Sequence, residues 1–140
     1  MVYVIRKEHF NAAHRLFNPA WSEEKNQEIY GPCANTNWHG HNFELIVTVK
    51  GKPDVDTGFV FDLKLLGDII NREIIDLVDH KNLNLDVEFM RGKLASCEIL
   101  IIEFWKILAP AISSASKTAH LYKLHLIETN KNSVEYYGEE

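Results

Sequence analysis

The strongest structural constraint lies between His41 and Lys50. Phe43, Leu45, Val47 and Val49 alternate with Asn42, Glu44 and Thr48, and only Ile46 breaks the pattern. A period of two is the signature of a strand with one buried face. A strand of this kind needs partners and a covering layer. The rest of the chain supplies both. Val2 to about His14 mixes β-branched and aromatic residues and reads as a strand. Gly51-Lys52-Pro53-Asp54 and Thr57-Gly58 read as turns, with Phe59 to Phe61 continuing as a short hairpin-like strand. Asp62 caps a helix expected over 63–77, whose Leu66, Ile69, Ile70, Ile74 and Leu77 form one apolar stripe. Ser96 caps a second helix expected to run to Leu108, with Pro110 just past its end. Leu121–Thr129 and Ser133–Tyr137 close the chain as two strands around Asn130-Lys131-Asn132. Residues 18–37 are polar and read as a long loop with a helical turn near 22–26. Strands, then helices, then strands indicate an α+β domain with an antiparallel sheet.

The chain has 140 residues, no internal repeat and no linker-like tract, so a single domain over 1–140 is expected. A net charge of -5 argues against non-specific nucleic-acid binding, which wants a basic surface, and leaves room for a local cationic pocket. The longest apolar stretch, Ile99 to Ile112, is broken by Glu103, Lys106 and Pro110, too short and too polar for a membrane span. No signal-peptide pattern opens the chain, so a cytoplasmic location is expected, with Cys33 and Cys97 as free thiols.

Four groups of residues carry chemistry. His39-Gly40-His41 places two imidazoles on one face of a strand, with Gly40 leaving room between them. His14, at the end of the first strand, is the natural third ligand of a zinc site with an open fourth position. A chance surface pair has the same sequence. Cys33 precedes His39 by six positions and reads either as a thiolate base or as a buried structural cysteine. Asp79-His80 reads either as an acid/base pair or as a polar helix end. Glu128 follows the apolar run Leu124, Leu126, Ile127; it either faces solvent or accepts two parallel hydrogen bonds from an amidine-like edge. No phosphate-cradling glycine loop, nucleophile elbow or His-Glu-x-x-His motif is present.

Together these residues resemble the 6-pyruvoyltetrahydropterin synthase family, which includes the 6-carboxytetrahydropterin synthases of queuosine biosynthesis. The landmarks are Phe10-Asn11-Ala12-Ala13-His14-Arg15-Leu16, Tyr30-Gly31-Pro32-Cys33 and Trp38-His39-Gly40-His41-Asn42-Phe43. Thr57-Gly58-Phe59-Val60-Phe61-Asp62, Asp79-His80-Lys81-Asn82-Leu83-Asn84 and Glu128-Thr129 follow in order. The resemblance implies the tunnelling fold (T-fold), an antiparallel four-stranded sheet with two helices on one face. It implies zinc on His14, His39 and His41, Cys33 as base, Asp79 and His80 as proton relay, and Glu128 as anchor for the pterin ring. Glu98 is implied as a substrate contact, and the assembly as a homotrimer or hexamer with its site between subunits. The implied substrate is 7,8-dihydroneopterin triphosphate. Its triphosphate requires cations, for which Arg15 and Lys81 are the candidates.

The interval Cys-x5-His from Cys33 to His39 resembles the pyruvoyl-forming branch. The 6-carboxytetrahydropterin branch, with its usual shorter interval, is the alternative. Three departures lie beside these motifs: Trp38 before His-Gly-His, Pro32 before the cysteine, and Ser96-Cys97-Glu98-Ile99 at the start of the second helix.

Overall fold

The computed structural model describes residues 1–139. Two long strands, β1 (Val2–His14) and β2 (His39–Gly51), pair antiparallel along their whole length. β4 (Ala119–Ile127) lies against the other edge of β2, and β5 (Ser133–Tyr136) against β4, both antiparallel. These four strands are the expected sheet. A two-residue strand, β3 (Lys81–Asn82), adds a fifth, parallel to β1, giving the order β3-β1-β2-β4-β5.

One face of this sheet carries the core. Phe10 and Ala12 of β1 meet Phe43, Leu45, Val47 and Val49 of β2, all buried. β4 supplies Leu121, Leu124 and Leu126 to the same core. The odd spacing from Leu121 to Leu124 is accommodated by a bulge. Val49 pairs with Leu121 while Thr48 pairs with Lys123, so Tyr122 is the extra residue and the apolar phase is restored.

Two helical elements cover this face. The first is α2 (Leu63–Ile70), running through a π-helical stretch, Asn71–Ile75, into α3 (Asp76–Val78). Asp62 caps α2 through Lys64 N–H and Leu65 N–H, as the sequence predicts. The π stretch shifts the apolar stripe by one position. Val78 is therefore fully buried, and Leu77, expected in the stripe, is 47% exposed.

The second is α4 (Cys97–Ala115), capped by Ser96. It does not stop before Pro110 but continues past it. The missing proline N–H costs about 3 kcal/mol in a helix interior. Burying Ile112 completely returns about 2 kcal/mol, and Ala111 packs beside it.

Two further expectations are corrected. Phe59–Phe61 forms no strand. Asp54 Oδ1 gathers Asp56 N–H, Thr57 N–H and the Thr57 hydroxyl, Gly58 turns at φ 74°, and the chain enters α2 directly. The 18–37 segment holds a two-turn helix, α1 (Glu23–Tyr30), and a 3-10 turn, Gly31–Ala34, that carries Cys33. Buried Asn26 ties α1 down by accepting from Asn18 N–H and donating to the carbonyls of Asn18 and Ser22.

Candidate metal and pterin site

The alternation that builds the core also builds the site. In the β1–β2 register His14 stands opposite His39, and Ala12 opposite His41. All three histidines therefore extend the helix-facing side of the sheet beyond Phe10 and Phe43. Gly40 between them avoids a tight contact, because a Cβ there would lie 3.2 Å from the Ala12 carbonyl oxygen. The rings form a tight triangle, with centroids 4.6, 5.2 and 4.9 Å apart, over the ring of Phe43.

His14 is 2% exposed, and its Nδ1–H donates to the Ala95 carbonyl at 2.7 Å. That bond leaves Nε2 as the lone-pair nitrogen. His14 Nε2, His39 Nδ1 and His41 Nε2 are buried and lack any hydrogen-bond partner. One ring nitrogen from each residue lies within 4.8 Å of the other two. Burial pushes the His14 pKa down, against the Ala95 hydrogen bond that raises it. Burial, then the neighbouring His41, pushes His39 down as well. Such imidazoles are held neutral, the form that binds metal. Each unsatisfied buried group costs about 1–3 kcal/mol. Three of them converging on one point fit a divalent cation, and three nitrogen ligands suit zinc.

A cavity of about 470 Å³ opens beside His14, lined also by Cys97, Glu98, Glu128 and Asn132. Glu128, just past the end of β4, turns its carboxylate into this space. Its Oε1 lies 3.8 Å from His41 Nε2 and its Oε2 3.9 Å from His14 Nε2. The Cys97 thiol, in the first turn of α4, donates to Oε2 at 2.8 Å. Burial first, then the Glu128 carboxylate, pushes the Cys97 pKa far up, so it remains a thiol. Glu128 thus faces the histidines and the cavity rather than open solvent.

The other expected residues stand apart within the single chain. Cys33 is half-buried on the 3-10 turn. Its carbonyl accepts from Leu16 N–H at 2.7 Å, which ties Cys33 to a residue of the cavity wall. Asp79 and His80 do face each other. Asp79 Oδ2 lies 3.0 Å from His80 Nδ1, while Oδ1 accepts from Asn11 N–H at 2.9 Å. His80 takes a left-handed backbone, φ 59°, uncommon for a residue other than glycine. This pair sits at the β3 edge of the sheet with the His80 side chain 82% exposed, and two strands, β1 and β2, lie between it and the β4 end that carries Glu128. Arg15 is turned to the Ala34 carbonyl and stacked on Phe17. Cys97, Lys131 and the Ala95 carbonyl were not assigned to the site from the sequence. Cys97 was visible only as a departure, Lys131 only as a turn residue, and a backbone carbonyl leaves no sequence signal.

The sequence profile described as 6-pyruvoyl tetrahydropterin synthase matches residues 3–139. A 6-pyruvoyl tetrahydrobiopterin synthase of Poecilia reticulata is 39% identical over 137 residues, covering 98% of this chain and 90% of the relative. One from Dictyostelium discoideum is 37% identical over 138 residues, covering 99% and 97%. The solved structure of the Caenorhabditis elegans 6-pyruvoyl tetrahydropterin synthase superposes with a TM-score of 0.88 at 35% identity, covering 99% of this chain and 96% of that one.

Proposed function

The chain belongs to the 6-pyruvoyl tetrahydropterin synthase family and has its tunnelling fold, and from that premise we propose a zinc-dependent lyase that converts 7,8-dihydroneopterin triphosphate to 6-pyruvoyltetrahydropterin with loss of triphosphate. One observation carries the reading: three histidines, each with a buried unpartnered ring nitrogen and each offering a ring nitrogen within 4.8 Å of the other two, at the edge of a cavity that also holds an inward carboxylate.

His14, His39 and His41 are the residues that would hold zinc. When bound, zinc supplies Lewis acidity to the side-chain hydroxyls of the substrate. Glu128 accepts two parallel hydrogen bonds from the amidine-like edge of the pterin and fixes the ring. Glu98, on the same cavity wall, is the second substrate contact. Cys33 removes a proton from the side-chain carbon, as a thiolate general base. Asp79 holds His80 by Nδ1, which leaves Nε2 to give or take a proton on the opposite side. Glu103, though buried, has no part in this. Burial pushes its carboxyl up, but Lys106 and Lys93 outweigh that and hold it below the usual carboxylate range.

Asp79 and His80 lie at the open sheet edge, with β1 and β2 between them and the β4 end that carries their own chain's Glu128. We therefore place the complete site between subunits of a homotrimer, or of a hexamer made from two, with the Asp-His pair of one chain serving the cavity of its neighbour. The test is product identification by mass spectrometry with the zinc-loaded protein and 7,8-dihydroneopterin triphosphate. A 6-pyruvoyl product with free triphosphate is expected. A 6-carboxy product with acetaldehyde would move the chain to the queuosine-type reaction.

A further inference from the structure

The pterin-anchoring role of Glu128 leaves one geometric fact unexplained. A residue waiting only for a pterin has no need to stand against the metal-binding nitrogens. Yet both carboxylate oxygens do so, each toward a different imidazole, at 3.8 and 3.9 Å. Two ligands about 2.1 Å from one tetrahedral ion stand about 3.4 Å apart. Each oxygen stands close to one of the two nitrogens only, so sharing an ion with His14 and His41 takes a swing of the carboxylate that brings one oxygen to that distance from both.

The side-chain nitrogens nearest this carboxylate are those of two imidazoles, not of a lysine or arginine. His14 Nε2 and His41 Nε2 accept no proton from it and donate none to it. A carboxylate beside two buried ring nitrogens that have no other partner is an arrangement that a cation would satisfy. The backbone that carries it is fixed. Glu128 N–H donates to the Asn132 carbonyl, and Thr129 Oγ1 accepts from Lys131 N–H and Asn132 N–H. The Cys97 thiol then orients Oε2, the oxygen toward His14, at 2.8 Å, as hydrogen bonds from outside the metal's own ligands commonly do for metal-bound carboxylates.

We propose that Glu128 is the fourth metal ligand of the substrate-free protein, with Cys97 as its positioning residue, and that it gives up the metal when the pterin edge takes the carboxylate. The fourth position is thus closed at rest and opened only by the substrate. This rests on the histidines being the zinc site and on Glu128 anchoring the pterin.

The test uses the full-length protein without substrate, loaded with cobalt(II) for its visible absorption and titrated with zinc against a chromophoric chelator. Glu128→Gln and Glu128→Ala are both expected to shift the cobalt bands and to weaken zinc binding at least tenfold. Cys97→Ala is expected to weaken it less, at the low end of the roughly 10- to 100-fold range for outer partners. Adding 7,8-dihydroneopterin to the parent protein should move its cobalt spectrum toward that of the Glu128→Gln protein. Unchanged zinc affinity and cobalt bands in both Glu128 variants would overturn the ligand assignment. An altered Glu128→Gln spectrum with no response of the parent to the pterin would overturn the exchange and, with it, the anchoring role. A parent protein that binds no stoichiometric metal would overturn the zinc reading itself.

Discussion

Removing the metal should destabilise the fold by an amount the site itself sets. Without a cation, three buried imidazole nitrogens at the end of the core have no partner. A ligand that binds only the native state stabilises it by about 2.7 kcal/mol at a free concentration one hundred times its Kd. Unfolding entropy near 2.1 cal/mol/K per residue gives about 0.3 kcal/mol/K for 140 residues, so each kcal/mol moves Tm by roughly 3 °C. Zinc at that excess should therefore raise Tm by about 9 °C over chelator-treated protein. Scanning calorimetry at fixed protein concentration reads the difference directly. His39→Ala should abolish most of the zinc-dependent rise while keeping a cooperative transition. The reasoning fails if zinc leaves Tm unchanged in the parent, or if His39→Ala responds to zinc as the parent does.

Cys33→Ala should leave zinc content near one per chain and abolish turnover, checked by elemental analysis beside product release; undiminished turnover would refute its role as base. Cys33→Ala and His80→Ala, each inactive, should regain partial activity when the two are mixed and reassembled, because the proposed site draws on two chains; a mixture as inactive as its parts would refute the shared site. Phe10→Ala removes a fully buried ring stacked on Phe43 and should cost about 3–5 kcal/mol by denaturant titration, without changing the ligand set. The Asn11 N–H, and more weakly His80, hold the Asp79 carboxyl below its ordinary 3.8. A lowered folded-state pKa stabilises above the unfolded value and is lost as pH falls through the folded one. Asp79→Asn should accordingly flatten the acid limb of the stability–pH curve below about pH 4, leaving the neutral region parallel to the parent.

What was legible in the sequence was what period and capping encode. β1 ends at His14 and α2 starts after Asp62, as read, because alternation and a capping carboxylate are local signals. The histidine triad followed from His39-Gly40-His41 together with a strand end at His14. The misreadings share one cause, tertiary context overriding a local rule. Pro110 is carried inside α4 because Ile112 beyond it is buried, and Leu77 loses its place to Val78 because a π turn rephases the helix. Phe59–Phe61 has strand-like residues, but the Asp54 turn delivers it straight to a helix. Cys97 escaped assignment because its importance lies in a contact with Glu128, thirty-one positions away, that no local pattern carries.

The placement of the triad links stability to chemistry. Along the helix-facing side of β2 the sequence runs inward from His39 and His41 to Phe43, Leu45, Val47 and Val49, so the core does not end in a leucine but in imidazoles. An apolar residue at 14, 39 or 41 would pack against Phe43 without leaving unsatisfied nitrogens, and the metal-free fold would gain from it. The chain instead closes its core with imidazoles whose buried nitrogens have no partner, a cost that a bound cation would remove. The Ala95 carbonyl selects the His14 tautomer, and Ala95 directly precedes Ser96, the cap of α4. The same short segment that starts α4 thus orients His14, presents Cys97 to Glu128 and places Glu98 on the cavity wall. A substitution that merely shifts this helix start, such as Ser96→Ala, therefore acts on metal, carboxylate and pocket together.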